Sequence, residues 1–214
     1  MKKIVVALLV VILLCSVSLQ EVDAKAPTTS VKKYKNNKNF TYVEIKGAKY
    51  KKINAKMLAY TKAEYKYQKV LKKLLAKDLK AGWAQKGMVY SSVISCKPKY
   101  KTTKKVSVLC ETYTYGGGAH GEYKYKTFNA LNGKEVNLKG AFSSTANYKN
   151  GLSGAKKYIL NHPSNYPFAS SSTKVTGRSF YWTSKGLKLV FEPYEIDSYS
   201  GGMKTVPVAK KYLK

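Results

Sequence analysis

Two cysteines set opposite each other in a strand pair constrain this chain more than any other feature. Residues 89–97 (VYSSVISCK) and 105–115 (KVSVLCETYTY) are rich in β-branched and aromatic side chains and flank a polar stretch, PKYKTTK. That pattern predicts two strands joined by a turn. A hairpin centred near Thr103 pairs residues whose numbers sum to 206, which places Cys96 directly across from Cys110. Cross-strand partners lie within disulfide reach. A redox or metal pair would call for CxxC-like spacing, so the predicted bridge is structural.

A structural disulfide needs an oxidising compartment, and the N-terminus predicts one. Lys2 and Lys3 precede an apolar run from Ile4 to Leu14, and Val22 and Ala24 are small residues at the −3 and −1 positions of a cleavage site. The run is too short to span a bilayer and matches the apolar core of a signal peptide. Residues 1–24 are therefore read as a cleaved leader, with no later membrane segment. Cys15 raises a lipoprotein alternative, but Leu13 and Leu14 are bulkier than the residues that usually precede a lipidated cysteine.

The remaining chain is long enough for one generous domain or two joined subdomains. Residues 25–38 (KAPTTSVKKYKNNK) are polar and basic without periodicity and are expected to form a flexible tail. Phe40–Ile45 reads as a strand. From Tyr50 to Leu79 a helix is predicted, because Ile53, Met57, Tyr60, Tyr67, Leu71, Leu74 and Leu75 recur at three- and four-residue steps. Gly82 ends it. A strand is expected over Glu122–Phe128, then a tight turn at Asn132-Gly133. Residues 143–153 are small and polar, helical spacing is weak at Ala155, Tyr158 and Ile159, and 163–177 is expected to be a mobile loop. Strands follow at 178–183, 187–191 and 203–208. The sum is an α+β fold, with antiparallel sheets, one long helix and a second shorter helix.

The stretch YTYGGGAHGEYKYKTFNALNGKEVNLKGAF, followed about 50 residues later by FYWTSKGLKLVFEPYEIDSYSGGMKTVPV, resembles the RsiV-like bacterial extracytoplasmic domains. Gly117–Gly121, Asn132-Gly133 and Pro193-Tyr194-Glu195-Ile196 carry the likeness, and Ile53-Asn54 fits the family's N-terminal part. Members include the ectodomain of a lysozyme-sensing anti-sigma factor and the N-terminal portion of a peptidoglycan deacetylase. The resemblance implies two joined subdomains, 39–115 and 116–214, and an activity of binding rather than catalysis. The sequence offers no deacetylase domain to carry that chemistry over.

Charge narrows the partner. Lysine and arginine total 40 against 11 acids, a net +29, and leader cleavage leaves that balance unchanged. Arg178 is the single arginine. Lysine is a hydrated point charge with little of arginine's bidentate selectivity, so a diffuse polyanion suits this surface better than one defined phosphate. Enzymatic readings lack material. There are two histidines; His120, among glycines and two residues from Glu122, resembles a reactive turn, but a histidine there also suits bonding to tight backbone. His162 suits a helix terminus. GGGAHG lacks the lysine and hydroxyl of a phosphate loop, and the histidines and paired cysteines make no zinc set. No cofactor or metal is expected. Nineteen tyrosines invite a nucleic-acid reading. However, in Tyr123-Lys124-Tyr125-Lys126 alternation puts rings and cations on opposite strand faces, whereas a single-strand groove needs both together.

The expectation is a secreted or wall-associated, non-catalytic module that binds anionic cell-wall polymer. The competing expectation is a sensor or inhibitor that engages lysozyme or another muralytic enzyme. That partner is itself basic and would need an acidic patch such as Glu192, Glu195 and Asp197. The candidate binding residues are His120, Glu122, Lys124, Lys126, Tyr194 and Glu195.

Overall fold

The computed structural model describes residues 25–214, so the predicted leader lies outside it. Its elements are β1 (Thr29–Lys33), β2 (Thr41–Ile45), α1 (Lys51–Ala81), β3 (Ser91–Lys101), β4 (Lys105–Tyr115), β5 (Glu122–Leu131), β6 (Lys134–Glu135), α2 (Thr145–Leu160), β7 (Phe180–Thr183), β8 (Gly186–Phe191) and β9 (Lys204–Ala209). Three antiparallel sheets result, β1-β2, β3-β4-β5-β6 and β7-β8-β9, with two α-helices. The fold is α+β. Among the described residues no helix is long and apolar enough to cross a membrane.

The β3–β4 hairpin has the predicted register from Ser91↔Tyr115 to Pro98↔Val108, with Cys96 opposite Cys110 and the two bridged. A one-residue shift beyond Pro98 then pairs Tyr100 with Ser107. Period-two alternation divides β4 and β5 between two cores. Val106, Val108, Cys110, Phe128 and Ala130 face Ile53 and Met57 of α1. Leu109 and Tyr125 face Val190 of the three-stranded sheet. Beyond that sheet, α2 closes a third core through Leu152, Ala155 and Ile159 against Trp182, Leu189 and Val206. The order of layers is α1, four-stranded sheet, three-stranded sheet, α2.

Helix α1 ends where Gly82 predicts. Gly82 takes φ 78°, its N–H reaches Leu79 O and the Trp83 N–H reaches Asp78 O, a Schellman cap. The apolar stripe is narrower than its spacing suggests: Tyr67 and Leu74 stay 45% and 38% exposed. Polar groups hold the inward positions along that half of the helix. Gln68 bonds to Tyr90 O and Ser92 N, and Glu64 accepts from Ser92 Oγ at 2.9 Å.

Three expectations are corrected. Residues 29–33 are not a flexible tail; they pair with β2 from Thr29↔Ile45 to Lys33↔Thr41, and Tyr34 packs edge-on against Tyr65. Backbone bonds rather than burial hold this strand, so no apolar pattern announces it. Helix α2 starts at Thr145, ten residues before Ala155, with Ser144 Oγ accepting from Asn147 N. Gly151 and Gly154 dilute its periodicity. The 163–177 segment is anchored: Tyr166 and Val175 are buried, and Tyr166 Oη donates to Thr205 O. Residue 116 falls between β4 and β5, which pair in one sheet over ten positions. The α1-side and α2-side cores meet along that sheet.

Candidate functional site

The β4–β5 connection carries Gly116 to Gly121 and delivers His120 to the end of the sheet. Gly121 is needed there, because a Cβ would sit 2.3 Å from the Tyr113 ring. From the far side, the turn after β8 presents Tyr194 at φ 70°, a left-handed conformation uncommon for a bulky residue. Tyr194 N donates to Asp197 O at 2.9 Å, which helps hold the turn. Tyr199 follows in the next bend.

These rings meet. The His120 and Tyr199 rings stack at 4.1 Å between centroids, Tyr194 lies 5.7 Å from Tyr199, and Tyr123 lies 5.9 Å from it. Tyr113 packs 4.8 Å from Tyr123 behind them. His120 Nδ1 is 3.0 Å from Gly121 O, which can only accept, so Nδ1 carries a proton. In the neutral ring Nε2 then accepts from the Tyr194 hydroxyl, 3.0 Å away. His120, Tyr123, Tyr194 and Tyr199 line a cavity of about 270 Å³ with Glu122, Glu192 and Pro193. Burial, then the neighbouring tyrosines 113, 123 and 194, pushes the Tyr199 hydroxyl above its ordinary pKa. Burial first, then Glu111, takes Tyr125 up to about 12.

The predicted residues separate into three places. His120, Glu122 and Tyr194 share the tyrosine pocket, but Glu122 pairs with Lys124 at 3.2 Å rather than with His120. That bond is the main cause raising Lys124 above the usual lysine range. Lys126 lines a different cleft of about 660 Å³, together with Lys56, Lys139 and Arg178. Glu195 lies beside a third cavity of about 380 Å³ that Lys174 and Arg178 also line. Its carboxylate pairs with Arg178 and accepts from Glu192 N at 2.6 Å. A fourth, mostly apolar groove of about 740 Å³ lies between α2 and the β8–β9 edge, rimmed by Lys185, Lys188 and Lys211.

Two of the three clustered acids are ion-paired within the chain. Besides Glu195, Asp197 pairs with Lys204 at 2.6 Å and accepts from Ser198 N, which hold its carboxyl below the usual range, the lysine bond most. Glu192 Oε1 accepts from Tyr125 N at 3.3 Å. Arg178 is equally committed. Its guanidinium lies 4.3 Å over the Phe191 ring, donates to Lys174 O and is 17% exposed. Tyr123, Tyr199 and Glu192 were not among the predicted site residues. They join the pocket through contacts between residues some 70 positions apart; the acidic cluster marked Glu192 and the Tyr-Lys alternation marked Tyr123, but neither pattern places its residue in a pocket.

Helix α1 presents a lysine-rich face to solvent. Lys51, Lys52, Lys62, Lys66, Lys69, Lys73, Lys77 and Lys80 are all exposed. At 100° per residue they fall in one arc of about 100°, opposite Ile53, Met57 and Leu71. The helix has two carboxylates, and both turn inward: Glu64 to Ser92, and buried Asp78 to the Tyr90 hydroxyl at 3.0 Å.

No family model and no curated protein matches the sequence. Solved structures that share the fold include two from bacteria. One is a DUF3298 family protein from Pseudomonas aeruginosa, with 15% identity and a TM-score of 0.52 over 89% of this chain and 93% of that one. The other is a member of the same family from Bacteroides fragilis, with 17% identity and a TM-score of 0.53 over 89% and 92%. At these identities the likeness is one of architecture.

Proposed function

We propose that the chain is a secreted, non-catalytic module of the RsiV-like type that holds anionic cell-envelope polymer along α1. The lysine face carries this reading. Its cations recur mostly every three or four residues, about 4.5–6 Å along the axis. From Lys62 to Lys80 each therefore lies within a Debye length of the next, about 8–10 Å, and their fields add, while Lys51 and Lys52 stand about 15 Å further along the axis. The inward-turned Glu64 and Asp78 leave that face without compensation. Elsewhere among the described residues, ion pairs engage only Lys32, Lys56, Lys124 and Lys204 of the lysines. The one arginine, the group best suited to reading a single phosphate, is locked into the fold. A linear polyanion relieves the self-repulsion of such a face without any shaped pocket. The muralytic-enzyme reading depended on Glu192, Glu195 and Asp197; Glu195 and Asp197 are ion-paired within the chain, which leaves Glu192, with one oxygen bonded to Tyr125 N, as the remainder of that patch.

Co-sedimentation with purified cell walls, with and without teichoic acid, at low and high salt tests the reading. Binding should need the polymer and collapse with salt. Changing Lys62, Lys66, Lys69 and Lys73 together to Gln should flatten the log–log salt slope by about 3, taking single-stranded polyanions as the guide. Retention that ignores both polymer and salt would refute it.

A further inference from the structure

The tyrosine pocket has the opposite chemistry to the rest of the molecule. Each of the other three cavities is lined by lysine or arginine. This one is lined by His120, Tyr123, Tyr194 and Tyr199 with two carboxylates, Glu122 and Glu192, and by no cationic side chain. We propose that it is a binding site for a small organic ammonium group. Aromatic faces carry negative quadrupole charge and attract cations, most strongly where several rings converge. The hydrogen bond to Gly121 O fixes the His120 tautomer, so in the neutral ring its Nε2 is an acceptor taken up by Tyr194. Glu192 supplies the counter-charge: Tyr125 N occupies one of its oxygens, and the other has no hydrogen-bond donor among the described residues. Glu122, exposed and paired with Lys124, contributes less.

The construction of the site supports a ligand. Tyr194 is held in a left-handed conformation yet leaves its side chain 55% exposed, so strain is stored without burial to repay it. His120 meets Tyr194 and Tyr199 ring to ring although it lies 74 positions from Tyr194 in sequence. A volume of about 270 Å³ suits a trialkylammonium head rather than a polymer segment. The site stands apart from the polyanion reading: Tyr123 lies on the sheet face turned away from α1. Failure of either leaves the other in place.

The test titrates the full chain with choline and with its uncharged isostere, 3,3-dimethylbutan-1-ol, in about 150 mM salt to screen the net charge. The sequence has two histidines, so the imidazole proton region should hold few signals, and His162, stacked on Tyr158 at the end of α2, is an internal reference. Choline should shift His120 saturably in the millimolar range and leave His162 unmoved. The alcohol should bind at least about ten-fold more weakly, as loss of the cation–π and carboxylate attraction requires. Tyr199→Phe should keep binding, Tyr199→Leu should weaken it about five-fold or more, and Glu192→Gln about three-fold. If Tyr199→Leu does not fold, the isostere comparison and Glu192→Gln decide. An unmoved His120, an equal response to the alcohol, or an equal shift at His162 overturns the proposal.

Discussion

Breaking the Cys96–Cys110 bridge gives the most quantitative check on how this fold is held. The cysteines are 14 residues apart, and opening a loop of that size returns conformational entropy to the unfolded chain worth about 3 kcal/mol at 25 °C. The β3–β4 ladder pairs ten residue positions without the bridge's help, so the native state should survive reduction. For a domain of this length each kcal/mol moves the midpoint by about 2–4 °C, predicting a fall of about 6–12 °C. Reduced wild type and the Cys96→Ala/Cys110→Ala variant separate two contributions. The reduced protein keeps both sulfurs and loses only the loop constraint. The variant also leaves small voids in the α1-side core, where both side chains are 0% exposed, and should melt lower still. Far-UV circular dichroism melts of the three species would show it. Because β4 packs a core on each face, each melt should be a single transition. If reduced and oxidised protein melt within about 2 °C, the loop-entropy argument fails; two separated transitions would refute the shared-sheet architecture.

Gly186 and Gly154 should respond oppositely to alanine. At Gly186, with φ 146°, a Cβ would lie 2.1 Å from Val208 O, so Gly186→Ala should cost at least about 2 kcal/mol in denaturant melts. At Gly154 it meets nothing within 4 Å in α2, so Gly154→Ala should stabilise by up to about 1 kcal/mol. Arg178→Lys should cost about 1–2 kcal/mol, because an ammonium cannot stack on Phe191 while bonding both Glu195 and Lys174 O; prior Glu195→Gln should shrink that loss. In alkali, Tyr125 has a folded pKa of about 12 against about 10 unfolded. Its contribution is therefore complete below pH 10 and lost as pH rises towards 12, since the unfolded chain gives up its proton first. Tyr125→Phe should flatten that decline in chemical melts between those pH values.

Local, periodic features were legible in the residues themselves. The hairpin register follows from strand alternation and one turn position, and the end of α1 from a glycine that can take a positive φ. The Asn132-Gly133 turn follows likewise: both residues have positive φ, and Leu131 pairs with Lys134. The alternation of Tyr123 and Tyr125 with Lys124 and Lys126 was correct because period two is intrinsic to a strand. Burial by distant partners was not legible. β1 is paired by backbone groups every residue possesses, and Gly151 hides α2's periodicity while admitting the Phe142 ring, whose carbon would lie 2.6 Å from a Cβ. His120 read as a turn residue beside Glu122, but its hydroxyl partner is 74 positions away. The sequence by itself determined the charge, the strand register and the lysine face of α1, since these depend on composition and on helix and strand periods. Only the tertiary structure decided which acids are consumed internally and which rings enclose a cavity. Those outcomes depend on contacts between segments brought together by packing, and no short stretch of chain encodes them.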